Sequence, residues 1–212
     1  MRLAGGSVFT SGREQARVRG IVGICGTPGT GKKTIAPKVA TVLGFPGALS
    51  INSLAAKGAL DVDIKQLRAE LLKSRPPRFV LFGHLLPDVL RKGEAAFVAV
   101  LRCDPSVLGK RLGERGYPPA KVTANVEAEL IGLLLYECVL QFGSELVHEY
   151  DTTSAPSEEV AKAIATDAKV ALKSGTKEAS RRPPAWRDWT LDYGSPSKLR
   201  SLLGSSAPPA ST

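Results

Sequence analysis

The chain is 212 residues long, 43% apolar and 23% charged, with a formal net charge of +9. Such a length supports one α/β domain with a complete core, plus extensions. The longest clean apolar run, residues 95–101, is strand-sized, and the first twenty residues hold four arginines but no apolar stretch, which excludes a membrane span and a secretory signal as readings of this sequence.

In chain order, Ile21-Val22-Gly23-Ile24-Cys25 is a short apolar run ending at glycine, the pattern of a buried parallel strand. A glycine-rich loop follows. Lys33 to Leu43 then predicts a helix, with Ile35, Val39 and Val42 on one face and Gly44 as its stop. Ala48 to Ile51 predicts a second strand. Asn52 or Ser53 is expected to cap a short helix ending near Gly58, and Asp63 to Lys73 has helical spacing at Ile64, Leu67, Leu71 and Leu72. Arg78 to Phe82 predicts the third strand, closed by Gly83-His84, and Ala95 to Leu101 the fourth. Asp104-Pro105 opens a helix, since proline suits the first helical position; it reaches Glu114 and breaks at 115–119. One long helix is expected from about Lys121 to Phe142, then a strand over Leu146 to Tyr150 and a helix over Ser157 to Lys173.

Strands alternating with helices predict an α/β fold with a parallel sheet of about five strands covered on both faces. The domain is expected over residues 21–173. Residues 1–20 read as a disordered basic extension, and 174–212 as a Ser/Pro/Gly-rich basic tail, mostly irregular, with one helix at Ser197 to Leu203. Each of these ends carries +3, so two thirds of the excess charge sits outside the domain. That charge is either solvated or a contact for RNA or an RNA-bound protein. Cys25, Cys103 and Cys138 lack any C-x-x-C spacing and read as small buried hydrophobes of a cytoplasmic protein. His148, Trp186 and Trp189 read as structural, the tryptophans as a means of docking the tail.

The strongest chemical signal is Gly26-Thr27-Pro28-Gly29-Thr30-Gly31-Lys32, placed between an apolar strand and an amphipathic helix. A triphosphate needs several N–H donors converging from one short loop. Glycines permit that curl, and the following helix turns its positive end toward the anion. Lys32 adds a mobile ammonium for the outer phosphates. The usual pattern places Ser or Thr after the lysine to hold Mg²⁺, but here Lys33 follows, then Thr34. No side chain is assigned as a metal ligand, so Mg²⁺ is held by water and phosphate, or Lys33 supplies part of the missing positive charge.

The loop, the Gly83-His84 pair and the block Arg111-Leu-x-x-Arg115-Gly-Tyr117-x-x-x-Lys121-x-x-x-Asn125-x-x-x-Glu129 together resemble the adenylate-kinase-like ATPases of archaea and eukaryotes. The resemblance covers roughly residues 20–173 and includes Val147 to Thr153, which matches that family's last strand and the turn after it. It implies a P-loop NTPase core. ATP phosphates would lie on Gly29, Gly31, Lys32, Lys33 and Thr34, with a nucleoside-monophosphate segment around 49–72 and a lid around 114–124 that brings Arg115 to ATP. It implies ATP with Mg²⁺ and AMP as ligands, a link to small ribosomal subunit maturation, and a small-subunit ribosomal protein as partner, with rRNA contact through the basic ends. The family carries a histidine at the place of His84, two residues after an acid; this chain has Phe82 where the acid stands. His84 either orients an attacking water or caps the strand.

Three functions follow from these residues: an ATP:AMP phosphotransferase, an ATPase that drives release of a ribosomal partner, or a nucleotide-binding module with little turnover. Lys57, Lys65 and Arg68 are available in the acceptor segment to meet a phosphate, which favours the first. Lys32, Arg115 and His84 are the expected catalytic residues.

Overall fold

In a computed structural model describing residues 20–54, 63–74, 78–174 and 186–204, every residue of the first strand, β1 (Ile21–Gly26), is buried. A strand apolar on both faces must be covered on both, and the remaining elements do this. α1 (Lys32–Leu43) leads to β2 (Ala48–Ser50), α2 (Ile51–Leu54), α3 (Ile64–Ser74) and β3 (Phe79–Phe82). α4 (Leu86–Val89), β4 (Ala95–Arg102), α5 (Pro105–Glu114), α6 (Pro119–Leu130), α7 (Leu133–Phe142), β5 (Val147–Asp151) and α8 (Ser157–Ser174) complete the domain. The five strands pair in the order β2-β3-β1-β4-β5, all parallel. This is the α/β architecture that the alternation of strands and helices predicts.

Period-two alternation divides the core. On β4, Phe97, Ala99 and Leu101 point to the side where Ile35 and Val39 of α1 and Ile164 and Ala168 of α8 pack. Val98 and Val100 point the other way, toward Leu67 and Leu71 of α3 and Leu135, Cys138 and Phe142 of α7. The chain leaves β1 on one side to build β2 and β3, then crosses to the other for β4 and β5. The loop after β1 therefore opens at the point where the strand order reverses, outside the carboxyl ends of the strands, where parallel sheets form their crevice.

Three expectations are corrected. The long helix over 121–142 is two helices, because Gly132 adopts φ 66° and caps α7, and a left-handed residue cannot continue the helix. A Cβ at Gly132 would lie 3.5 Å from the Arg102 guanidinium, an ordinary van der Waals contact, so it is the positive φ that calls for glycine. Asn52 and Ser53 do not cap a helix: α2 starts at Ile51, and Ser53 Oγ donates back to the Ser50 carbonyl at 2.7 Å. The tail carries two helices, α9 (Trp189–Tyr193) and α10 (Pro196–Gly204), with the Asp188 side chain accepting from Thr190 N to cap α9. The predicted helix end near Gly58, and the N-terminal extension up to residue 19, lie outside the described residues.

Trp189 is buried, whereas Trp186 keeps 37% of its surface exposed. The Arg187 guanidinium lies 4.5 Å from the Trp189 ring, and Tyr193 donates its hydroxyl to the Asp104 carboxylate at 2.7 Å. His148 stacks on Phe97 at 4.7 Å between ring centres. All three cysteines are free and buried. Among the described residues, no helix is long and apolar enough to cross a membrane.

Gly132→Ala should destabilise the domain by about 1 kcal/mol or more, because alanine at positive φ is strained. The measurement is a thermal melt, with an expected fall of about 2–4 °C per kcal/mol. An unchanged melting temperature would show that the break between α6 and α7 does not depend on this residue.

Candidate nucleotide-binding site

Three glycines give the loop its curl: Gly26, Gly29 and Gly31 have φ of 140°, 99° and 94°. A Cβ on Gly29 would sit 2.6 Å from Leu108 Cδ1, so the loop also rests directly on α5. Thr27 and Thr30 are buried beneath it. The Thr27 carbonyl accepts from Thr30 N at 3.2 Å and Thr30 Oγ1 at 2.9 Å, closing the turn from inside. Gly31 caps α1 without a side-chain bond, leaving the first N–H groups of the helix directed at the loop's mouth.

Lys32 folds back over this curl. Its Nζ donates to the Gly26 carbonyl and, at 2.9 Å, to the Thr27 carbonyl. Burial pushes its pKa down from the usual lysine range to about 8; Cys25 and then Glu129 oppose this, and Arg115 and Lys33 add smaller effects in the same direction as burial. Arg115, just past the end of α5, is exposed and lies within electrostatic range of Lys32. Lys33 and Thr34 are exposed on the first turn of α1.

His84 is half-buried just past β3. Its pKa is lowered by burial first and then by Lys32 and Lys121, with Asp88 acting the other way. Arg115 thus lies within electrostatic range of Lys32, and Lys121 within range of His84. Lys121 itself lies 5.2 Å over the Tyr117 ring. Among the described residues the His84 side chain has no hydrogen-bond partner that would cap the strand; its carbonyl accepts from Cys25 Sγ at 3.8 Å.

Sequence reasoning missed the brace under the loop. Arg102 and Glu129 are 3% and 2% exposed and form an ion pair, Nε to Oε1, at 2.7 Å. Glu129 also accepts from Cys103 N at 3.0 Å and from Thr27 Oγ1 at 2.5 Å. Arg111 is held differently, donating to the Thr152 and Thr153 carbonyls at 2.9 Å each, which ties α5 to the turn after β5. Glu129 stood out only as the last residue of a spaced motif, and an isolated Arg102 carried no signal at all.

One expectation about the acceptor segment is corrected. Arg68 is not available for a phosphate: it makes a two-pronged pair with Glu94 at 2.6 and 2.7 Å and a third bond to the Val89 carbonyl. Lys65 remains exposed, and Lys57 lies outside the described residues.

Among the described residues, the two positions from which this loop pattern would hold a magnesium ion carry side chains that do not fit it. The position that would offer a hydroxyl is Lys33, and the position that would offer an acid is Phe82, which is buried. Glu129, whose charge does reach Lys32, has its oxygens occupied by Arg102, Cys103 N and Thr27.

A buried parallel strand, a glycine loop, a lysine on the next helix and a five-stranded parallel sheet define a P-loop α/β protein of the nucleotide-binding, kinase-like class. Residues 22–132 match the family model described as AAA domain. The chain is 35% identical over 182 residues to a protein of Thermococcus onnurineus named "Putative adenylate kinase", covering 82% of this chain and 93% of that one. It is 35% identical over 185 residues, with the same coverage, to a protein of that name from Pyrococcus abyssi. A third, from Halobacterium salinarum, is 30% identical over 179 residues, covering 79% of this chain and 98% of its own. The chain belongs to the family these archaeal proteins make up.

The lowered pKa of Lys32 is directly checkable. In the free protein the Lys32 ammonium should titrate near pH 8, whereas ordinary lysines titrate about two units higher. Lysine Nζ or Cε resonances followed from pH 6 to 11, with Lys32→Arg for assignment, would show it. A titration near pH 10.5 would mean that the loop holds this side chain in a more solvated state.

Proposed function

We propose that this protein is an ATP-dependent nucleoside-monophosphate kinase of the adenylate type, with ATP hydrolysis as its default when no acceptor is bound. The observation that carries this reading is a glycine loop with Lys32 folded onto its carbonyls, at the carboxyl edge of a parallel sheet, in a chain whose relatives bear the name "Putative adenylate kinase". MgATP is the substrate form, and its metal arrives with the nucleotide. The phosphates of ATP lie along Gly29, Gly31, Lys32, Lys33 and Thr34. Lys32 leaves the Gly26 and Thr27 carbonyls for the outer phosphates, where its proton is held more tightly. Arg115 closes from the lid (114–124) and stabilises negative charge spreading over the transferring group, which is most of what phosphoryl transfer requires of a protein. His84, neutral near pH 7 because its pKa is lowered, orients the attacking water or acceptor oxygen. The acceptor occupies the segment around 49–72.

The commitment of Arg68 to Glu94 favours a second reading, in which the acceptor site is weak and hydrolysis is the main reaction. In either case we place the enzyme in small ribosomal subunit maturation. Its expected partner is a small-subunit ribosomal protein, with rRNA contacts through the basic ends. The family resemblance and the +3 charge on each end support this placement.

ADP formation from MgATP, with and without AMP, separates the two activities. The kinase gives AMP-stimulated turnover with two ADP made per ATP; ADP with free phosphate, indifferent to AMP, would replace it with the hydrolase. Arg115→Ala should lower kcat more than tenfold in whichever reaction is found, since a neutralising arginine of this kind is worth roughly 10³-fold or more. Unchanged turnover would remove Arg115 from the mechanism. ATP affinity should also follow the Lys32 proton: steady below about pH 8 and weakening about tenfold per pH unit above it, as the free protein loses the charge that the phosphates select. Lys32→Ala should bind ATP weakly at every pH and lose that slope.

A further inference from the structure

Two buried threonines tie the phosphate loop to residues far along the chain. Thr27 donates its hydroxyl to Glu129 Oε2 at 2.5 Å. Thr152 Oγ1 lies 3.0 Å from the Thr30 carbonyl and 2.9 Å from the Arg102 carbonyl. Both ties therefore end on the Arg102–Glu129 pair. The two oxygens of Glu129 divide the labour: Oε1 takes Arg102 Nε and Cys103 N, which is enough to satisfy the ion pair, while Oε2 takes the loop hydroxyl. The Thr27 carbonyl, on the residue so fixed, is where Thr30 N, Thr30 Oγ1 and Lys32 Nζ all converge.

We infer that Glu129 is a positioning residue for the nucleotide: acting through the Thr27 hydroxyl, it fixes the residue whose carbonyl closes the turn with Thr30 N and Oγ1, and so holds the loop in its phosphate-accepting curl. The inference rests on the nucleotide reading above but is indifferent to which acceptor the phosphoryl group reaches. An ion pair that served stability alone would leave the loop hydroxyl dispensable. A charged acceptor 2.5 Å from a hydroxyl makes a strong, directional bond in a site that excludes water. Preorganisation of this kind acts on affinity, because the loop does not have to be ordered when the phosphates arrive.

Because the two Glu129 oxygens serve different partners, the roles can be separated without breaking the ion pair. ATP affinity, measured by calorimetry, and thermal stability would be compared for the full-length protein and for Thr27→Val, Thr27→Ser, Glu129→Gln and Thr27→Val with Glu129→Gln. Thr27→Val, which removes only the hydroxyl, should weaken ATP binding roughly tenfold, and Thr27→Ser should restore it. In the Glu129→Gln background, Thr27→Val should cost little more. If Glu129→Gln does not fold, the valine and serine variants decide alone. ATP binding by Thr27→Val equal to the native protein, or a serine variant as weak as the valine one, would overturn the inference; so would fully additive losses in the double variant. A native chain that bound no ATP would overturn the nucleotide reading and this role together. A chain that bound ATP but ignored AMP would overturn the kinase alone.

Discussion

A guanidinium and a carboxylate with almost no water around them must answer each other's charge almost completely, and much of this molecule is arranged so that Arg102 and Glu129 can. Removing two such groups from solvent costs several kcal/mol per ion unless every remaining donor and acceptor finds a partner. Here they do. Arg102 Nε meets Glu129 Oε1, its Nη2 meets the Glu129 carbonyl at 2.9 Å, and its Nη1 faces the Arg187 carbonyl at 3.4 Å and the Glu149 carboxylate at 3.7 Å. Glu149, its pKa raised by burial, also accepts from Arg187 N at 3.0 Å. One planar fork thus fixes where the end of β4, the end of α6, β5 and the incoming tail meet. The break at Gly132 lies against the same guanidinium, with which a Cβ there would be in ordinary van der Waals contact.

Around the loop the balance is reversed. Lys32, Lys33, Arg115 and Lys121 gather at a strand edge where the available acids are few: Asp88 is exposed beside His84, and Glu129 is spent on the brace. The depressed pKa of Lys32 records first the cost of burying its ammonium, with smaller contributions from Arg115 and Lys33. A site that pays electrostatically in its free form and would be relieved by an anion is selective for that anion. The core of the sheet shows no such conflict, because local pattern and tertiary packing agree along every strand.

The elements that could be read from the sequence are those whose signal is local. β1, β3 and β4 follow from short apolar runs, and the loop follows from glycine spacing between a strand and a helix; β5, Val-His-Glu-Tyr-Asp, has no such run. The division of α6 from α7 was not legible, because Gly132 interrupts an apolar pattern that otherwise continues from 121 to 142, and glycine within a helix is often tolerated. Arg68 looked free because its partner Glu94 lies on another element, 26 residues away. The tail looked irregular because its Ser, Pro and Gly content masks two short helices, the first tied to the domain through Tyr193 and Asp104. The buried brace was least legible of all. Nothing near Arg102 in the chain distinguishes it from a surface arginine, and only the fold brings it to Glu129.

The order of the strands also has a consequence for when the loop can take shape. β1 and the glycines after it are among the first parts of the domain to be synthesised, but β1 lies between β3 and β4, so its two neighbours come from residues 79–82 and 95–102. The two threonine ties close later still, across 102 and 122 residues of chain. Contacts of such long separation must meet the entropy of closing the intervening loops before they return any stabilisation. On a ribosome the glycine loop would therefore stay an open, solvated segment through most of translation, and its curl would close as one of the last acts of folding. Possession of a shaped phosphate loop is in this protein a report that the whole sheet has been built.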